Sequence, residues 1–182
     1  MTKELWAAAG AELIPGNFPP VSEELFCDAL LSIAAGEDRK ATLELGIACE
    51  TEITSLLDAV ARQSPQSPAK SKYLRREMKG KWVSFADKLE NCTLSLGLPN
   101  PTQFTGGVPH DWVDTVKELY RIRNAIAHGR ELNADAIQIG KIVTAANALF
   151  RYTRAARHGA GLWTYALPSS RQFPEQLIGV LE

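Results

Sequence analysis

Apolar residues recur at steps of three and four positions through most of this sequence, and that spacing constrains the fold more than any other feature. Such steps place apolar side chains on one face of an α-helix, which then packs against other helices. No segment shows the alternating apolar and polar pattern that is typical of a β-strand. The periodicity therefore predicts an all-α bundle of about five helices.

Glycines and prolines divide the periodic sequence into these helices. Gly36, Gly97 and Gly129 stand where three of them should end, because glycine readily adopts the left-handed conformation found at helix termini. The helices are expected at about residues 22–35, 37–62, 70–96, 110–128 and 134–157.

The composition is that of an ordinary globular protein, with 45% hydrophobic and 23% charged residues. A length of 182 residues suits one domain. No apolar run approaches the ~18 residues needed to cross a bilayer, and the beginning of the chain lacks a secretory signal pattern. We therefore predict a single cytoplasmic domain, residues 1–182, with no membrane partner. Residues 1–20 should be irregular, and the aromatic tail at residues 158–182 should pack on the bundle.

The sequence predicts neither a metal nor a cofactor. Its three cysteines, Cys27, Cys49 and Cys92, form no C-x-x-C pair and stand among apolar neighbours, so we expect small core residues. The three histidines lack any metal-ligand spacing, and no phosphate-binding P-loop is present.

Positive charge is concentrated in two segments of a chain whose net charge is −1. Residues 117–158 contain 8 Lys or Arg against 3 Asp or Glu, and residues 70–81 contain 6 against 1. Such segments could guide a polyanion, although solvated helix faces carry the same pattern.

Two charged residues fall where the helical periodicity requires apolar ones. Arg123 lies about 40° from Leu119 on the apolar face of the fourth helix, and Glu52 lies about 20° from Leu45 on that of the second. An unpaired buried guanidinium is costly. One interpretation is a structural ion pair between Arg123 and Glu52, and the other is a polar cleft that both residues line.

His128 follows Arg123 by five positions, at the last turn of the same helix. Residues five apart are separated by about 140° and about 7.5 Å of rise, so the two side chains do not share a face. Either the helix unwinds at His128, so that the ring swings back, or two chains related by a twofold axis supply the pair.

The string from Leu119 to Gly129, LYRIRNAIAHG, resembles the signature of the HEPN superfamily, which is R-x-x-x-x-H with a polar residue after the Arg. Upstream, LFCDAL at residues 25–30, GED at 36–38 and ACE at 48–50 resemble the paired early helices of these domains, the second of which often carries an acid. The resemblance covers roughly residues 22–157 and implies a HEPN-like helical bundle.

The resemblance further implies a homodimer with a cleft between its protomers, acting as a metal-independent endoribonuclease in toxin, antiviral or stress systems. Other members have lost catalysis and serve as RNA- or protein-binding modules, in which Arg123 would be a structural ion pair. In a toxin or defence system, an antitoxin or defence-system protein would be a partner. Arg130 replaces the tyrosine found in the group paired with nucleotidyltransferase antitoxins, which argues against adenylylation there.

The predicted catalytic residues suit cleavage of RNA. Attack by a 2′-hydroxyl leaves a 2′,3′-cyclic phosphate and requires proton transfer, for which His128 is suited, and stabilisation of charge on phosphorus, for which Arg123 is suited. Asn124 would support them, together with Glu50, which aligns with the family acid, or Glu52, which the periodicity selects. The predicted RNA contacts are Arg121, Arg130, Arg151, Arg154 and Arg157.

Overall fold

The structure, a computed structural model, describes residues 20–63, 67–68, 83–130 and 138–162. Five helices lie within these ranges and no strand does, which confirms the predicted all-α fold. Most of the predicted N-terminal segment and the aromatic part of the predicted tail lie outside the described residues.

Helices α1 (Val21–Ala34) and α2 (Asp38–Gln63) form an antiparallel hairpin. Their short connection includes Gly36 at φ +75°, where the sequence predicted a helix end. The hydroxyl of Ser32 donates to Glu44 at 2.8 Å, and the hydroxyl of Ser22 donates to Glu52 at 2.7 Å. These two bonds tie opposite ends of the hairpin.

Helix α3 spans residues 85–95 and contains a π-helical turn. An α-helical segment, Phe85–Asp87, leads into the π turn Lys88–Cys92 and then into Thr93–Ser95. The π turn places an extra residue in the helix, a feature that is frequent at functional sites.

The prediction of one continuous third helix over residues 70–96 is wrong, because the chain is not helical at Ser84. This residue is extended, with φ −65° and ψ 159°, and its hydroxyl accepts a hydrogen bond from the Asp87 backbone N–H at 3.1 Å. A serine in this position satisfies a free N–H group at the start of a helix, so a new helix begins at Phe85. Residues 70–82 of the prediction lie outside the described residues.

Helices α4 (Trp112–Ala127) and α5 (Ile139–Gly159) complete the bundle. Helix α4 begins two residues later than predicted, at the buried Trp112, whose ring lies 5.8 Å from that of Tyr152 in α5. The Tyr152 hydroxyl donates to the Pro99 carbonyl at 2.7 Å and fixes the loop that precedes α4.

The core lies around α2, which packs against all four other helices. Its apolar residues meet side chains of α3, α4 and α5, among them Phe85, Leu89, Val116, Leu119 and Leu149. Cys49 and Cys92 are buried as predicted. The prediction is wrong for Cys27, because this residue lies on the solvent face of α1. Within the described residues, no helix is both long and apolar enough to span a membrane.

Candidate functional site

Arg123 lies on the side of α4 that faces α2, close to the C-terminal end of α4. Its stem packs on Gly46, so closely that a Cβ at Gly46 would lie 2.7 Å from Arg123 Cγ and 2.8 Å from Arg123 Cβ. Glycine at this position lets an arginine occupy what is otherwise an apolar helix face. The guanidinium carbon lies 5.6 Å from the centre of the Tyr120 ring, which stacks in turn on Phe85.

The head of Arg123 reaches the surface. Its side chain is 23% exposed, and one terminal nitrogen donates to the Asn124 side-chain oxygen at 2.7 Å. The other terminal nitrogen lies 3.7 Å from the Glu50 carboxylate. The Nε group is buried without a hydrogen-bond partner among the described residues. The two terminal nitrogens of Arg123 thus face Asn124 and Glu50, while the side chain remains partly exposed to solvent.

Glu50 is shared between two cations. One carboxylate oxygen faces Arg123, and the other lies 3.5 Å from the Lys88 ammonium group. Lys88 also donates to the Thr54 hydroxyl at 2.9 Å. We call Glu50, Lys88, Arg123 and Asn124 the Arg123 cluster.

The predicted ion pair between Arg123 and Glu52 is wrong, because Glu52 faces away from α4. Residues two apart on a helix are separated by about 200°, so Glu50 and Glu52 lie on opposite sides of α2. Glu52 is buried, with 6% exposure, and accepts hydrogen bonds from Ser22 at 2.7 Å, Thr153 at 2.8 Å and Arg157 at 3.2 Å. Glu52 thus joins α1, α2 and α5, and only Glu50 belongs to the Arg123 cluster.

His128 is exposed and caps α4. Its backbone N–H still bonds to the Asn124 carbonyl at 3.0 Å, so the helix stays regular up to this residue. The chain turns at Gly129, with φ +69°, and the N–H of Arg130 bonds to the Ala125 carbonyl at 2.9 Å, which completes a Schellman cap. Of the two arrangements that the sequence left open, unwinding before His128 does not occur. Arg123 and His128 of one chain therefore point in different directions.

The other predicted RNA contacts are spread over several surfaces. Arg121 pairs with Glu118 on its own helix at 2.7 Å, and Arg130 is exposed beside His128. On α5, Arg151 donates to the Gly107 carbonyl, Arg154 pairs with Glu23 of α1, and Arg157 binds Glu52 and Ser55. Arg157 is only 16% exposed and binds the buried Glu52, so it belongs to the buried network, although its other partner, Ser55, is exposed.

The sequence does not predict Lys88, a member of the Arg123 cluster, or Gly46, which packs against it. Lys88 lies on the π turn, where a count of 100° per residue gives the wrong direction, so helical periodicity could not place it. Gly46 is a glycine inside a helix, and such an unfavourable choice signals close packing, although the sequence does not identify what packs there.

The described residues hold no group of three or more His, Cys, Asp or Glu that could bind a metal ion. Burial raises the pKa of the Cys49 thiol well above its usual range, with a smaller effect from the nearby Glu52 carboxylate. Burial raises the pKa of Cys92 to about 11. Neither thiol has the lowered pKa of a nucleophilic cysteine.

No family model, no curated protein and no solved structure matches this chain. The likeness to HEPN domains therefore rests on the motif residues and on the order of the helices.

Proposed function

We propose that this protein is a metal-independent endoribonuclease of the HEPN type, which acts as a homodimer through Arg123 and His128. The observation that carries the proposal is the Arg123 cluster itself. An arginine on an otherwise apolar helix face has a side chain that is 23% exposed and is held by Asn124 and Glu50, on the same helix that the exposed His128 caps. The exposed part of this side chain is accessible to a phosphate group.

The chemistry assigns one role to each residue. Arg123 offers two terminal N–H groups to the phosphate oxygens and stabilises the charge that develops on phosphorus. His128 either accepts the proton of the attacking 2′-hydroxyl or donates a proton to the departing 5′-oxygen, because imidazole can act as base or acid, and water completes the other transfer. Asn124 and Glu50 orient Arg123. The products are a 2′,3′-cyclic phosphate and a 5′-hydroxyl.

The geometry of α4 favours a site built from two chains. Because α4 is regular through His128, Arg123 and His128 of one chain lie on different faces of the helix. A twofold axis near the end of α4 would bring Arg123 of one protomer towards the histidine of the other. Exposed Arg130 adjoins His128 and could contact a neighbouring phosphate.

The wider biological role follows from the resemblance. We propose a cytoplasmic ribonuclease of a toxin–antitoxin, antiviral or stress system, with an antitoxin or defence-system protein as a partner. Co-purification with the product of an adjacent gene, together with inhibition of RNA cleavage by that product, would support this role.

The experiment is cleavage of a structured RNA by the full chain in EDTA. Arg123→Ala and His128→Ala should each reduce the rate by about 100-fold or more, because each removes an interaction made in the transition state. The exposed Arg39→Ala and His110→Ala are matched controls and should leave the rate unchanged. Circular dichroism of each variant checks that the helices are retained, and a substrate with deoxyribose at the cleavage site should resist.

A noncatalytic HEPN-like module is the second candidate. It is favoured by the partners that Arg123 already has, Glu50 and Asn124, as in a structural ion pair. Folded wild-type protein that binds RNA without cleaving it, or cleavage that persists in Arg123→Ala and His128→Ala, would establish this alternative.

A further inference from the structure

We infer that Lys88 is a positioning residue for Arg123: by sharing the Glu50 carboxylate, it leaves Arg123 available to an RNA phosphate. This inference rests on the proposed function, since it concerns how the same site binds RNA.

Glu50 divides its two oxygens between the two cations. The Oε1 atom lies 3.5 Å from Lys88 Nζ, and the Oε2 atom lies 3.7 Å from an Arg123 terminal nitrogen. Neither contact has the 2.7–2.9 Å length of a close charge-assisted hydrogen bond. Glu50 thus orients Arg123 without forming a close ion pair with it, because the same carboxylate also faces the Lys88 ammonium group.

Lys88 is anchored independently of Glu50. Its ammonium group donates to the Thr54 hydroxyl at 2.9 Å, and Thr54 itself donates to the Glu50 carbonyl one turn earlier in α2 at 2.6 Å. The π turn begins at Lys88, and the side chain is only 16% exposed. Lys88 therefore stays beside Glu50 when RNA approaches.

Without the charge of Lys88, the carboxylate would interact with Arg123 alone. The planar fork of an arginine suits a two-point pair with a carboxylate, so Glu50 would compete directly with the phosphate. We expect Lys88→Met to weaken RNA binding about tenfold and Lys88→Arg to restore most of the affinity.

A double-mutant cycle tests the inference. The probe is a structured RNA carrying 2′-O-methyl groups, which cannot be cleaved, and affinity is measured by fluorescence anisotropy at fixed salt and pH. In the wild type, Glu50→Gln should improve affinity by less than about threefold, because Lys88 already shares the carboxylate. In the Lys88→Met background, the same substitution should improve affinity about tenfold, because it removes the competitor.

Lys40→Met is the matched control for loss of one positive charge. Lys40 also pairs with two carboxylates, Glu37 and Glu44, but it lies at the exposed start of α2. Its removal should change affinity by less than about twofold, since an exposed charge is screened by salt.

The outcomes separate the two proposals. Unchanged RNA affinity in Lys88→Met overturns the inference. An equal effect of Glu50→Gln in both backgrounds also overturns it, because net charge alone would then explain the affinities. A Lys88→Met defect that Glu50→Gln does not rescue also overturns it, because the role of Lys88 would then be structural. If the cycle behaves as expected while no RNA is cleaved, the nuclease proposal fails and Lys88 remains the positioning residue of an RNA-binding site. Wild-type protein that binds no RNA overturns both.

Discussion

Glu50 and Glu52 lie two positions apart on α2 and serve different parts of the molecule. Glu50 is partly exposed and orients Arg123, whereas Glu52 is buried and joins α1, α2 and α5. A charge that is desolvated on folding must be matched by hydrogen bonds and a counter-ion, and Glu52 has both. The two carboxylates should therefore respond differently to mutation.

Glu52→Ala should lower the free energy of unfolding by about 3 kcal/mol or more, because it leaves the guanidinium of Arg157 and the Thr153 hydroxyl without their buried partner. Glu50→Ala should cost no more than about 1 kcal/mol, since its ion pairs are partly solvated. Urea denaturation of both variants measures the difference. Equal losses would contradict the division between the two acids.

Gly46→Ala tests the close approach of α2 to α4. The added methyl group would meet the Cβ and Cγ atoms of Arg123, which belong to the stem and cannot move aside without shifting the guanidinium. We expect RNA cleavage to fall at least about tenfold, because small displacements of a catalytic group are costly. Stability should fall by no more than about 2 kcal/mol, since the helix propensity of alanine offsets part of the overpacking.

The control for this substitution is Gly140→Ala in the first turn of α5, where nothing lies within 4 Å of the added Cβ. It should leave cleavage unchanged. A Gly46→Ala variant with full activity would show that the position of Arg123 is not critical.

At the scale of elements, the C-terminus of α4 is set by its Schellman cap. Gly129 adopts φ +69°, and the bonds around it determine where His128 leaves the helix. Gly129→Ala should lower stability by about 1 kcal/mol, because a side chain disfavours the left-handed conformation. Thermal unfolding measures this loss, and Gly159→Ala in α5, which has no positive φ and no close contact, should show none.

The sequence predicted the C-terminal ends of α1 and α4 better than the N-terminal start of α3. The end of α1 before Gly36 and the end of α4 before Gly129 follow from glycine chemistry alone. Apolar periodicity continues across Ser84 and therefore predicts no boundary there, although a serine followed by Asp87 three positions later is a pattern that indicates a helix start.

For the site, periodicity correctly identified Arg123 and Glu52 as charges on apolar helix faces, but the ion pair that it suggested between them is wrong. The position of a residue around one helix gives a direction, and it does not identify which helix lies in that direction. Two of the three partners of Glu52, Thr153 and Arg157, lie on α5 at separations of 101 and 105 residues. The likeness to HEPN domains, by contrast, selected Glu50, the acid that the structure brings beside Arg123.

At the scale of the whole molecule, the two-chain site predicts complementation. When inactive Arg123→Ala and His128→Ala proteins are unfolded together and refolded, about half of the dimers should be mixed, and each mixed dimer should contain one intact site if Arg and His come from different chains. About a quarter of wild-type activity should return. Complete absence of recovery, with mixed dimers verified by native mass spectrometry, would place both residues of each site in one chain.

The thiols report on the packing of the bundle. Burial raises the pKa of Cys92 to about 11 and raises the pKa of Cys49 further. Partial burial, followed by the charges of Glu23 and Asp28, raises the pKa of Cys27 as well. Because a raised pKa lowers the thiolate fraction at a given pH, all three should react slowly near neutral pH.

In the folded protein, iodoacetamide should modify only Cys27, at a rate that rises about tenfold per pH unit below its pKa, and urea should expose all three thiols. Mass spectrometry counts the modified sites. Rapid modification of Cys49 in the native protein would contradict the packing described for α2.

The buried network around Glu52 has a consequence for synthesis of the chain. A growing polypeptide emerges from its N-terminal end, so the hairpin of α1 and α2 is available long before α5 is made. Until then, Ser22 can donate a hydrogen bond to Glu52, but Thr153 and Arg157 have not yet been synthesised. Burying Glu52 with only one of these three partners would be costly, so we expect the carboxylate of the isolated hairpin to stay in water. We therefore expect the bundle to close only after α5 has been made, and chains that end before Thr153 should be degraded faster in cells than the full chain.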